Sequence, residues 1–315
     1  MRIDTSVPGA PSRLVIAISI GLLMAVWAIN FPVVKIGLHY VPALAFASFR
    51  VVAAGIFMVL LYPLCRCLPV FSSTGHESRV TARDFWPFLY LGFFGVAVNQ
   101  LCFALGLRYT NVTHSSIIVG MSPVFMLTLA VLFRLERLTL RKTLGMAIAF
   151  VGVAILASST GMAHRSPTLL GDAITMCGSL GFAMYVVLGK RVAAKYNPLI
   201  MTIWNFIFGA LIVLPIAVQQ TLSHNLARAW PTIPWQAYVC VAYTALFSST
   251  LAYLFYFWLL RYLDVSQLAA FSYLLPVSAS ALGIVFLGER GSWLELVGGA
   301  LALLGVYSIE SGRRL

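Results

Sequence analysis

Trp27 and Asn30 stand three residues apart, Asn99 and Gln100 are adjacent, and Tyr185 stands alone; Tyr243, Ser248, Ser249, Thr250, Tyr253 and Tyr256 lie close together. Each group sits inside a stretch otherwise built of aliphatic and aromatic residues. A buried carboxamide must find partners for its N–H and carbonyl groups, because stranding one in an apolar medium costs roughly 2–7 kcal/mol. Either a polar cavity or a hydrogen bond from helix to helix meets that need. Cavity lining is our preferred reading of Asn30, Asn99, Gln100 and Tyr253, with Trp27, Tyr185, Ser249 and Tyr256 as further wall candidates. Aromatic faces accept apolar or cationic parts of a ligand while amides orient a carboxylate or an amine, which is recognition rather than covalent chemistry. For any single aromatic, packing or interfacial anchoring is the commoner fate.

The charged residues are sparse. Arg50 lies seven residues inside its apolar run, on the order of 10 Å deep at a helical rise of about 1.5 Å per residue. It either bonds helix-end carbonyls to hold a bundle or supplies positive potential to an anionic or zwitterionic site. Lys35 and Lys190 stand at run ends, where they either guard a pathway or snorkel to lipid headgroups. His114, near a run end, has a reference pKa suited to proton coupling, although packing is its commoner role. None of the nine acidic residues falls centrally in an apolar run, which disfavours exchange of a hydrophobic cation for a proton. Glu136 and Glu289, each followed by Arg, are expected to orient loops. The five cysteines, three of them inside runs, form no disulfide framework and signal no metal. No HExxH, GxSxG, P-loop or paired intramembrane carboxylate occurs, so neither an enzyme nor a bound cofactor is expected.

The elements that must position these groups follow from composition. Of 315 residues 61% are hydrophobic and 10% charged, too little polar surface for an ordinary soluble globule. Apolar runs cover residues 14–34, 44–64, 85–107, 112–133, 143–162, 173–189, 198–218, 235–260, 265–288 and 292–309. A bilayer core of about 30 Å takes about 20 helical residues, and runs that are apolar all around exclude a β-barrel. The first run lacks a small-x-small cleavage site, so it is expected to persist as a helix in a mature chain beginning near Met1. The net charge of +12 reflects placement, not nucleic acid: with a cytoplasmic N-terminus, fifteen of the 21 Lys and Arg residues fall on the inner side. Both termini are then cytoplasmic. The expected fold is an all-α integral membrane protein of ten transmembrane helices in the inner membrane, with lipid and a small-molecule substrate as partners. Oligomeric state stays open.

The chain also repeats itself. Residues 107–153 align without a gap on 260–306, a shift of 153 with fifteen identities in 47 positions, among them Pro123 with Pro276, Glu136 with Glu289, Gly145 with Gly298 and Gly152 with Gly305. A shift of 155 pairs Trp27 with Phe182 and Lys35 with Lys190. An odd number of spans per half makes this an inverted repeat, two five-helix units over 14–162 and 169–311, joined by a linker at 163–168 and flanked by segments 1–13 and 312–315. Such halves can exchange conformations, which points to transport. Pro123 and Pro276, read as midway along the fourth and ninth helices, free the carbonyls of Val119 and Ser272 and serve as hinge candidates. Gly145 and Ala149, and again Gly298 and Ala302, form small-xxx-small faces that suit packing either within one chain or between protomers.

Trp27-Ala28-Ile29-Asn30-Phe31 with Lys35, Phe49-Arg50, Leu107-Arg108-Tyr109, and the spacing from Pro123 to Glu136-Arg137, repeated from Pro276 to Glu289-Arg290, together resemble the EamA-type branch of the drug/metabolite transporter superfamily over nearly the whole chain. The resemblance implies a ten-helix carrier with a central cavity that moves amino acids or similar small metabolites, often outward, and favours a structural role for Arg50. A channel-like facilitator and, further off, a membrane-embedded enzyme are the alternatives.

Overall fold

The computed structural model describes residues 11–66, 85–109, 118–137, 139–159, 169–226, 230–273, 275, 278 and 293–310. Among the described residues there is no strand. Helix α1, Arg13–Tyr40, opens on Ser12, whose Oγ accepts from Val15 N at 3.3 Å. It stops where Pro42 forces the preceding Val41 into an extended conformation. α2 is Ala43–Arg66 and α3 is Phe85–Tyr109. α4, Ser122–Leu132, follows a short helical stretch from Ile118. α5 is Leu140–Ser159 and α6 is Leu169–Ala193. α7, Pro198–Ser223, starts on an Asn197 cap with proline in its first turn, where no intrahelical N–H is lost. α8 is Trp235–Tyr262. α9, Val265–Phe271, starts with an Asp264–Gln267 capping box, and α10 is Trp293–Glu310.

Six of these helices, α1, α2, α3, α6, α7 and α8, are long and apolar enough to cross a membrane; Ile118–Leu132 and Val297–Ile309 are shorter apolar stretches. The run read as one span over 112–133 is described from Ile118 onward and is broken at Met121, whose N–H bonds Ile118 O at 3.1 Å. Pro123 is therefore not midway along an unbroken helix. It sits in the first turn of α4, where a missing N–H costs nothing. Pro276, His114, Glu289, Arg290, Cys67 and the linker at 163–168 lie outside the described residues.

Two α-helices each contain a π-helical stretch: Gly92–Val98 in α3 and Thr244–Leu251 in α8. Their positions differ by 152 to 153 residues, the shift of the repeat. Contacts between repeat mates follow the same arithmetic. Trp27 meets Phe182 edge to face with ring centroids 6.0 Å apart, Gln100 Nε2 donates to Tyr253 Oη at 3.3 Å, and Gly55 stands against Ala210.

The tightest interface joins α5 to α10 through the small residues seen in the sequence. A Cβ on Gly152 would lie 2.5 Å from Ala302 N and 2.6 Å from Gly298 O; one on Gly305 would lie 2.5 Å from Ala149 N and 2.6 Å from Gly145 O. The two crossings are reciprocal under the shift of 153. The small-residue faces are thus consumed within one chain, backbone against backbone, where dispersion contacts and close approach supply the association that lipid cannot. Replacing Gly152 with Val should force the crossing apart and lower stability by about 1–3 kcal/mol, read as a drop in the thermal midpoint of detergent-solubilised protein. Ala147→Val, at a position outside this contact, should change it far less.

Candidate functional site

Between α1, α2, α3, α4, α6, α8 and the residues after α9 lies an internal cavity of about 120 Å³. Trp27 and Asn30 reach it from α1, Arg50 from α2, Asn99, Gln100 and Phe103 from α3, Ser122 from α4, Thr175, Gly178, Ser179 and Phe182 from α6, and Tyr253 from α8. Val119 and Ser272, repeat mates that each stand four residues before a proline, both line it. Ser272 O accepts from Leu275 N at 3.1 Å.

The π-helical stretches explain how the wall is pinned. A widened turn displaces backbone carbonyls from their usual i+4 donors, and side chains from other helices use them. Trp27 Nε1 donates to Ser248 O at 3.2 Å, which fixes the indole at the cavity edge. Tyr253 Oη lies 3.5 Å from Gly95 O and 3.3 Å from Asn99 Oδ1 while it accepts from Gln100 Nε2. Asn99 Nδ2 donates to Gly178 O at 3.1 Å. Arg50, only 7% exposed, donates from Nε to Ser249 Oγ at 2.9 Å. Behind this layer, Tyr256 lies 5.5 Å from Trp27 and Tyr185 5.6 Å from Tyr253, centroid to centroid. The result is a rigid aromatic floor with amides and one guanidinium above it. Such a chamber can bind and orient a small polar molecule.

A profile of the EamA-like transporter family matches this chain twice, over residues 15–158 and 169–310. The chain belongs to the EamA-like transporter family. Among its relatives, an uncharacterised transporter of Archaeoglobus fulgidus is 25% identical over 94% of this chain and 99% of its own length. A probable terminal-alkyne amino-acid exporter of Streptantibioticus cattleyicolor is 26% identical over 93% of each chain. A probable amino-acid metabolite efflux pump of Salmonella typhimurium is 24% identical over 93% of this chain and 94% of its own. A solved crystal structure shares the fold, with a TM-score of 0.70 over 94% of this chain and 96% of the other at 16% identity.

Within this EamA chain, five of the eight wall candidates named from sequence line the cavity: Trp27, Asn30, Asn99, Gln100 and Tyr253. Ser249 acts one step back, holding Arg50, and Tyr185 and Tyr256 are fully buried in the aromatic floor. Several wall residues escaped the sequence reading. Thr175, Ser179 and Phe182 recur at i, i+4 and i+7, one stripe of α6, a signal that periodicity carries. Asn205, a fully buried amide of α7 with neither side-chain atom hydrogen-bonded, met the same criterion as Asn99.

Lys190 does not snorkel. Its Nζ donates to Leu263 O at 2.7 Å and to Leu260 O, the last carbonyls of α8 and the turn after it, because helix-end carbonyls lack intrahelical donors and attract a cation. Lys35 belongs to α1, and its side chain lies outside the described residues. Near Lys190, Arg191 Nη2 donates to Phe133 O at 2.7 Å. Arg134, at φ 57°, ends α4 in a left-handed turn, with Leu135 N bonded to Ala130 O. That turn delivers Glu136 to the start of α9. There its carboxylate accepts from Ser266 N at 2.9 Å and Ser266 Oγ at 2.6 Å, and pairs with Lys142 rather than with its neighbour Arg137. Burial pushes the Glu136 carboxyl up, but the hydrogen bonds from Lys142 and Ser266 and the Lys142 charge prevail and hold it below the ordinary carboxylate value. One end of the bundle is thus sealed by polar bonds among α4, α5, α6, α8 and α9.

Two outcomes follow. Because the folded Glu136 pKa is depressed, its stabilisation is complete above the unfolded value near ~4.3 and is lost as pH falls through the lowered folded value. Glu136→Gln should flatten that acid limb of thermal stability while leaving the plateau only lower. Tyr253→Phe, which removes the hydroxyl shared by Gln100, Asn99 and Gly95, and Asn99→Ala should each reduce flux of any cargo the unmodified chain moves, at near-normal folded yield. Unchanged kinetics in both would remove these residues from the wall.

Proposed function

We propose that this protein is a secondary transporter that moves a small metabolite across the inner membrane by alternating access, in the outward direction. The observation that carries the reading is the polar and aromatic cavity lined by repeat mates, with Gln100 bonded to Tyr253 and both Val119 and Ser272 in its wall. A site on an exchange axis sees both halves alike, so swapping their packings moves the opening from one side to the other while the site stays in place. The double family match and the reciprocal α5–α10 crossing support two related five-helix units, inverted by their odd number of spans. The names of the relatives from Streptantibioticus and Salmonella support export of a small amino-acid-like cargo.

The sealed end carries Arg134, Arg137, Arg141, Lys142, Lys190, Arg191 and Arg261, which by the positive-inside rule makes it cytoplasmic. The state described here is then closed to the cytoplasm. In the exchanged state Lys35 takes the role that Lys190 plays now, reaching the carbonyls of Leu107 and Thr110, the mates of Leu260 and Leu263. Pro123, at the break before α4, and Pro276 serve as the hinges of this reading.

Purified protein in liposomes, screened with radiolabelled amino and hydroxy acids, should show saturable flux of unaltered cargo, and unlabelled cargo on the far side should accelerate uptake of label. Flux without that acceleration would indicate a channel, and chemical change of the cargo an enzyme. Tags at the two chain ends should both report cytoplasmic; ends on opposite sides would defeat the inverted threading.

A further inference from the structure

Arg50 and Asn30 are incompletely used by the protein. Arg50 is buried and lines the cavity. Its Nε is committed to Ser249, which leaves the four N–H groups of the guanidinium terminus. Among the described residues no Asp or Glu lines the cavity. Asn30, 8% exposed, has an Oδ1 with no hydrogen-bond partner. A strong double donor and an orphaned acceptor therefore share one small chamber, and among the described residues no hydrogen bond joins them. An unmatched buried charge and an unmatched buried carbonyl are each costly, and a ligand that matches both relieves both costs.

Building on the transport reading, we propose that Arg50 is the specificity-determining residue of the cavity, and that the cargo is a small monocarboxylate carrying one hydrogen-bond donor. The terminal N–H groups of Arg50 take the carboxylate in the fork geometry that suits a planar anion, and Asn30 Oδ1 takes the donor. Charge balance selects a monoanion. One guanidinium neutralises one carboxylate, whereas a phosphate dianion would carry an uncompensated charge into a wall otherwise made of amides, hydroxyls and aromatic rings. A volume of about 120 Å³ suits a small cargo. Nothing in the described wall demands that the donor be charged, so a 2-hydroxy acid fits as a 2-amino acid does.

The test uses the purified full-length chain in detergent with four probes: L-alanine, L-lactate, L-alaninamide and inorganic phosphate. Alanine and lactate should each raise the thermal midpoint in a saturable manner, as ligands of the folded state must, while alaninamide and phosphate should not. Arg50→Lys keeps the charge but loses the fork, and should weaken acid binding about ten-fold or more, close to 1.4 kcal/mol. Stabilisation by alaninamide equal to that by alanine, stabilisation by phosphate alone, no response to either acid, or a folded Arg50→Lys that binds acids as before would each overturn the proposal. If Arg50→Lys fails to fold, the comparison of acid with amide on the unmodified chain still decides. Vesicle flux separates this proposal from the one beneath it. An acid that binds but does not cross would count against transport while leaving the Arg50 reading intact, and an amide carried in place of the acid would do the reverse.

Discussion

In hydrocarbon no water stands ready to satisfy a polar atom, so every N–H, carbonyl, amide and charge within the bundle must be answered by another part of the chain or by something the chain binds. That requirement organises the structure more than apolar packing does, because lipid tails solvate leucine as well as another helix would. The helices answer it internally along most of their length. They fail to do so where α3 and α8 widen into π-helical turns and where α4 is broken before Pro123. The cavity forms where those irregularities converge. The carbonyl of Ser248 accepts Trp27 and the carbonyl of Gly95 accepts Tyr253, so side chains that would otherwise rotate freely become fixed walls. Loss of regular helix geometry and gain of a shaped site are the same event.

The second organising element is close backbone approach. Gly152 and Gly305 leave no room for a side chain where α5 crosses α10, and Gly92 and Gly209 do the same where α3 meets α7. Side-chain-free crossings hold helices by short-range contact over a small area. Under the proposed exchange of packings, such crossings would serve as pivots with little change in buried surface.

Much of this was legible in the sequence, for reasons that differ by level. The apolar runs marked α1, α2, α3, α6, α7 and α8 to within a few residues, since the need for about 20 apolar residues leaves a long unbroken signal. The 153-residue shift and the small-residue faces at Gly145 and Gly298 marked α5 and α10 as close-packing helices, while their partner stayed open until the fold set one against the other. Asn30, Asn99, Gln100 and Tyr253 were found because an amide or hydroxyl in such a run is conspicuous. What escaped were groups whose meaning depends on rotation about the helix axis. Tyr185 and Tyr256 point behind the wall rather than into it, and Thr175 and Ser179 look like ordinary small residues until α6 is turned. The π-helical stretches have no local residue signature: GFFGVAV and TALFSSTL share composition with many regular helices. For Lys190 the sequence left snorkelling and a place at a pathway mouth both open, and only the fold shows the carbonyls of Leu260 and Leu263 within closer reach.

The halves are similar but no longer identical where they meet. Trp27 faces Phe182, and Gln100 faces Tyr253. By the shift of 155, Arg50 corresponds to Asn205, and by that of 153, Lys142 corresponds to Glu295. Perfect duplication would give two packings of equal energy and a carrier with no preferred resting side. Lys142 bonds Glu136 here, whereas the same shift pairs them in the sequence with Glu295 and Glu289, two residues of like charge. A difference of about 1.4 kcal/mol is a ten-fold bias in population, and losing one charge-assisted hydrogen bond is worth roughly that much. Under the proposed exchange of packings, that divergence would set which face waits open, and the cargo, through whatever it bonds in the cavity, would supply the difference needed to reach the other.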